Sequence, residues 1–166
     1  LAAQQHTVSQ VIITESPMVG LVIAAHGQLA AELVTTAEQI IGELTQIASC
    51  SVVPGTAPDE LRAQLKAAVK SVDTGEGVII FADLIGGSPC MQSLSLCQQQ
   101  KLEVVTGVNL PMLLKATSLR ASAAPLRELA MDLAQYGQRN ITCATDALRK
   151  ATAARAAATG SEPAAA

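Results

Sequence analysis

Aromatic side chains are almost missing from this chain. Among its 166 residues there is no tryptophan, one phenylalanine (Phe81) and one tyrosine (Tyr136). Stacking on bases or sugar rings is therefore largely excluded, and a core has to come from Leu, Ile, Val, Ala and Met. Charge is also sparse, at 15% of residues with a net of −3. The lysines and arginines are scattered; the densest group, Arg149, Lys150 and Arg155, is too thin for a nucleic-acid face, so no nucleic-acid partner is expected. No apolar run is long enough to span a membrane, and the first residues lack the basic and apolar regions of a signal peptide. A cytoplasmic protein is the expectation. The four cysteines (Cys50, Cys90, Cys97, Cys143) form no CxxC and no cluster with metal-site spacing, so reduced thiols and no bound metal are expected. There is no GxGxxG, no Walker lysine motif and no GxSxG. No cofactor follows from the sequence.

What is present is a folded domain's worth of aliphatic residues, 49% hydrophobic overall, in a strand–helix alternation. Residues 1–17 read as a flexible N-terminal extension or a vector-derived segment, broken from the rest by Glu15, Ser16 and Pro17. Residues 18–144 read as the domain. Residues 145–166, alanine-rich and ending in Gly160, Ser161 and Pro163, read as a tail or linker with helix propensity over 145–158. Within the domain, 19–25 is a strand and 29–41 a helix with Leu29, Leu33, Ala37 and Ile40 on one face. A second strand over 47–53 and a helix over 58–72 follow, the helix opened by Pro58, Asp59 and Glu60. The run 77–82 has no polar residue, which fits a central parallel strand covered on both faces. A third helix to about 99, a strand over 102–106, a short helix over 112–119 and a helix over 125–135 stopped by Gly137 complete the pattern. Residues 141–144 read as a late strand or as part of a tail. The fold class is α/β, a three-layer arrangement around a parallel sheet.

The chain holds two histidines, and one of them stands where a parallel sheet places active sites. His26 ends the first strand and Gly27 turns the chain into the first helix. Two further loops belong at the same carboxyl edge. One carries Asp83, Leu84, Ile85, Gly86, Gly87, Ser88 and Pro89; the other runs from Gly107 through Asn109 to Pro111. A carboxylate beside a histidine can hold one ring nitrogen protonated and leave the other to attack. The Gly86-Gly87-Ser88-Pro89 segment opens a helix. Its backbone N–H groups and dipole would suit a phosphoryl oxygen, and Ser88 can cap the helix or donate to that oxygen. Each piece alone has a structural reading: a histidine after a strand, an aspartate cap, a glycine turn. A His/Asp hydrolase is a rival, but no serine or cysteine stands in a strained elbow to serve it.

The ordered set His26-Gly27, Pro54-Gly55, Phe81-Ala82-Asp83-Leu84-Ile85-Gly86-Gly87-Ser88-Pro89 and Val105-Thr106-Gly107-Val108-Asn109-Leu110-Pro111-Met112 resembles the EIIA domain of the mannose/fructose/sorbose family of the phosphoenolpyruvate-dependent sugar phosphotransferase system. The likeness runs over 18–144. It implies a phosphoryl carrier in which His26 takes phosphate from phospho-HPr and passes it to a histidine of EIIB. Asp83 would bond the active histidine. Gly27, Gly86, Gly87 and Ser88 would hold the phosphate, and Leu84, Ile85, Asn109 and Pro111 would line the site or meet partners. It implies a fold of four parallel strands plus an antiparallel fifth, over 141–144, exchanged between the subunits of a homodimer. EIIB would be a separate chain, and association with membrane EIIC and EIID components indirect. Magnesium in this pathway would belong to the upstream enzyme. A regulatory module of the same fold keeps all these residues, and the sequence leaves that alternative open. Leu84 and Ile85 stand where a family member can carry an aromatic residue, which bears on partner preference rather than on chemistry.

Overall fold

The computed structural model describes residues 17–122 and 124–159. The extension over 1–16 and the end of the tail over 160–166 lie outside the described residues. Ten elements follow in order: β1 (Gly20–His26), α1 (Leu29–Ile41), β2 (Ile47–Val52), α2 (Pro58–Val72), β3 (Val78–Ala82), α3 (Ser88–Leu96), β4 (Leu102–Thr106), α4 (Leu110–Leu119), α5 (Leu126–Arg139) and α6 (Ala144–Thr159). The strands form one parallel sheet in the order β2-β1-β3-β4.

The sheet is covered on both sides, and strand periodicity decides which residue faces which layer. Leu21, Ile23 and Ala25 of β1 with Ile79 and Phe81 of β3 point into a core shared with Ala30 and Ala37 of α1, Leu113 of α4 and Leu129 and Leu133 of α5. The alternate residues Val22, Ala24, Val78 and Ile80 point the other way, against Leu61, Leu65, Val69 and Val72 of α2 and Leu96 of α3. Every residue of β3 is fully buried. Its unbroken apolar run is thus the consequence of two covered faces.

Gly20 shows how tightly the first strand meets α2. Its φ is ordinary, but a Cβ there would lie 2.5 Å from the Val72 carbonyl oxygen and 2.9 Å from the Val72 carbonyl carbon. Backbone cannot step aside as a side chain can. Gly20→Ala is expected to cost about 1–3 kcal/mol by overpacking, read as a lower urea midpoint at unchanged slope. A variant as stable as the parent would show that α2 docks more loosely than this.

Two expectations are corrected. The antiparallel fifth strand is not there: among the described residues the sheet has four strands, all parallel. Ile141 to Cys143 join no ladder, and Ala144 already belongs to α6. Ile141 is 78% exposed and packs against no sheet among the described residues. The alanine-rich run behind it satisfies its own backbone as a helix, helped by a Lys150–Asp146 pair at 2.9 Å. Strand exchange through 141–144 has no basis here. Secondly, Gly137 does not stop α5, which continues to Arg139. Gly137 is buried where α5 crosses α4. Its missing Cβ leaves room for Met112 and Asn109, and the Asn109 amide donates to the Gly137 carbonyl at 3.4 Å.

Candidate functional site

The strand order creates the site. From β1 the chain crosses to β2 on one side, then returns over β1 to β3 on the other. The loops leaving the carboxyl ends of β1 and β3 diverge, and a crevice opens between them. His26 ends β1, and Asp83 directly follows β3, whose Ala82 lies in register with Ala24. The pairing therefore brings a histidine and a carboxylate 57 residues apart into contact.

The contact is specific. Asp83 Oδ2 accepts the His26 backbone N–H at 2.9 Å and lies 2.9 Å from His26 Nδ1. Asp83 Oδ1 accepts the Leu84 N–H at 2.8 Å. Burial pushes the Asp83 carboxyl up, but the two His26 hydrogen bonds, the attraction of the ring in its protonated form and the Leu84 amide outweigh it, and the group settles below its ordinary value. An ionised carboxylate only accepts, so Nδ1 must carry the proton. Nε2 is then the nitrogen with the lone pair. The carboxylate is well covered, at 14% side-chain exposure, while the imidazole is 48% exposed. The pair is built to hold one ring nitrogen and offer the other.

A cleft of about 330 Å³ lies beside the ring. His26 and Gly27 form one wall, Ser88 another, and Val52, Val53, Pro54, Gly55 and Thr56 the third. Gly27 sits at φ 60°, with its N–H on the Val52 carbonyl at 2.9 Å, and Gly86 sits at φ 77°. Both are left-handed positions that favour glycine. Gly87, not Ser88, is the cap residue of α3, and no side chain caps that helix. Ser88 takes the first helical position and Pro89 the second, which leaves the exposed Ser88 hydroxyl to the cleft. The Gly87 N–H is taken by the Leu84 carbonyl at 3.2 Å. Pro89 has no N–H, so Ser88 and Cys90 supply the first-turn amides of α3.

Leu84 and Ile85 project beside the pair at 59% and 78% exposure. Asn109 and Pro111 do not line the cleft. Asn109 is the cap of α4: its side chain accepts the Met112 N–H at 3.0 Å and its amide reaches α5. The wall from Val52 to Thr56 carries no reactive side chain to draw the eye. Its signal is positional, because β2 borders β1 and Pro54-Gly55 turns at the same edge. Thr56 donates its hydroxyl to the Val53 carbonyl at 2.9 Å and stiffens that turn. A larger recess, about 540 Å³, lies at the opposite edge between Val19, Lys101, Arg120 and Leu126. There the Arg120 guanidinium holds the Thr45 and Gln46 carbonyls at 2.7 and 3.2 Å, which is a structural task. Among the described residues, no group of three or more His, Cys, Asp or Glu side chains gathers to hold a metal, and no helix is long and apolar enough to cross a membrane.

Residues 20–134 match the family model EIIA-man, described as the PTS system fructose IIA component. The chain belongs to this family. It is 31% identical over 124 residues to the PTS system mannose-specific EIIAB component of Escherichia coli (strain K12), a match covering 74% of this chain and 38% of that protein. It thus spans well under half of that relative's length. It is 27% identical over 134 residues to the PTS system fructose-specific EIIA component of Bacillus subtilis (strain 168), covering 80% of this chain and 91% of that one. The structure is similar to the mannose/sorbose specific IIA subunit of Enterococcus faecalis, with a TM-score of 0.67 and 30% identity, over 76% of this chain and 94% of that one. The EIIA-man match spans β1 to most of α5 and so contains the whole His26 cleft; α6 lies beyond it.

Proposed function

We propose that this EIIA-type chain carries a phosphoryl group on His26, taking it from the phosphohistidine of HPr and giving it to a histidine of an EIIB protein on a separate chain, at the cytoplasmic side of membrane EIIC and EIID components. The observation that carries this is the Asp83 Oδ2 contact with Nδ1 at 2.9 Å, which reserves Nε2 of a half-exposed ring for attack. In the forward step the P–N bond of the donor breaks and one forms at Nε2. The donor nitrogen keeps the bonding pair. The Nδ1 proton stays between ring and carboxylate, and Asp83 stabilises the positive charge the ring acquires. The Ser88 hydroxyl and the first-turn amides of α3 stand ready for the phosphoryl oxygens. Discharge to EIIB is the same step reversed with a new acceptor.

The test is incubation with phosphoenolpyruvate, Enzyme I and HPr, followed by intact-mass measurement under non-acidic conditions. One phosphate-sized gain that disappears on adding EIIB is expected. No gain would overturn the proposal. A stable gain that no EIIB discharges would favour the regulatory alternative.

The residues at 26–29, 52–57, 83–89 and 106–111 include no ionisable side chain except His26 and Asp83. Partner contact next to the ring is therefore expected to be apolar, with Ile85 at its most exposed point. Ile85→Asp should raise KM for phospho-HPr about tenfold, roughly 1.4 kcal/mol, with kcat much less affected. An unchanged KM would place the docking surface elsewhere.

A further inference from the structure

We infer that Gly87 is a positioning residue for His26: the missing Cβ at 87 leaves the room that the imidazole edge occupies, so that the ring can meet Asp83 and present Nε2. This deepens the phosphoryl-carrier proposal and rests on it for its kinetic arm. The two adjacent glycines of this loop serve different physical ends. Gly86 needs its φ of 77°, and a Cβ there would meet nothing within 4 Å. Gly87 is the reverse. Its φ of −69° is open to any residue, yet a Cβ at this position would stand 3.0 Å from His26 Cε1 and 3.3 Å from the Leu84 carbonyl oxygen. The backbone around it cannot yield readily, because the Gly87 N–H is tied to Leu84 and its carbonyl to the Met91 N–H at 2.9 Å. The ring, half-exposed, is what gives way. Cε1 lies between the two ring nitrogens. A push of a few tenths of an ångström there displaces Nδ1 relative to Asp83 and Nε2 relative to the cleft together.

The experiment compares Gly87→Ala with the parent chain and with Gly42→Ala, which strains a left-handed position (φ 88°) at the far end of α1. Nitrogen-15 NMR of the imidazoles reports the His26 tautomer without any phosphoryl transfer, and His6 is the one other histidine to assign. The parent is expected to show a single Nδ1–H tautomer. Gly87→Ala should show an averaged tautomer and about tenfold slower acceptance from phospho-HPr, carried by kcat rather than KM. Gly42→Ala should lose thermal stability and keep both the tautomer and the rate per folded molecule. A Gly87→Ala chain with the parent's tautomer and a rate within about twofold would overturn the inference, whatever its melting temperature. If the parent itself takes up no phosphate, the carrier proposal fails while the tautomer arm still decides the role of Gly87.

Discussion

His26→Ala is expected to take up no phosphoryl group from phosphoenolpyruvate, Enzyme I and HPr, whereas the parent gains one. The loss should be complete rather than partial. Among the described residues no other histidine is available, and His6 lies in the polar N-terminal stretch. Serine hydroxyls near the cleft have no base positioned to activate them once the imidazole is gone. The fold should survive, because His26 is the exposed last residue of a strand whose other six residues are buried. Melting within a few degrees of the parent, beside an absent mass gain on non-acidic analysis, is the expected pair of results. Labelling that persists undiminished would move the carrier residue elsewhere.

Asp83→Asn should give the second largest effect. The amide keeps one acceptor oxygen for three donors. Turned to His26, it sets NH₂ against the Leu84 N–H and gives up the negative charge; turned to Leu84, it sets NH₂ against the His26 N–H and Nδ1 and drives the proton onto Nε2. The attacking lone pair is then on the wrong nitrogen. A wrong-tautomer change of this kind is worth roughly 10²–10⁴ in rate. Acceptance should slow by that order, and any phosphoryl group already on the ring should be lost faster. Ser88→Ala should do much less, since backbone donors at the head of α3 remain.

The same carboxylate gives a pH signature. Its value in the fold is lower than the ordinary 3.8, so its stabilising contribution is fully present above 3.8 and disappears as pH falls through the lower folded value. Urea midpoints of parent and Asp83→Asn should therefore differ at pH 7 and converge as the pH drops below 4. A difference that widens on acidification would contradict a lowered carboxyl.

Much of this was legible because the informative residues obey short-range rules. The bounds of α1, α2 and β4 coincide with those the sequence predicts, since Gly42, Pro58 and the apolar run before Thr106 act locally. The unbroken run over Val78–Ala82 marks the central strand for the same reason. His26 and Asp83 could be placed at one edge because parallel strands bring their carboxyl-end loops together. The failures share the opposite cause. Gly137 reads as a stop, yet its role is to let Asn109 and Met112 approach α5 from 25 or more positions away. Asn109 reads as lining the site or meeting a partner, and the fold adds a task hidden in the sequence, a helix cap and a helix–helix bond. Residues 141–144 cannot form a strand by themselves, because an antiparallel ladder needs a partner edge, and the alanines that follow favour a local solution. The wall from Val52 to Thr56 borders the cleft by location alone, and location appears only once the sheet order is known.

The central claim is that His26 Nε2, set free by Asp83, bears the phosphoryl group. Nitrogen-15-labelled chain, phosphorylated through HPr and held at alkaline pH, carries the answer in its phosphorus–nitrogen couplings. A ³¹P resonance coupled to Nε2 of His26, with Nδ1 still protonated, is the expected spectrum. Coupling to Nδ1, or a phosphorus signal on a residue other than His26, would contradict it.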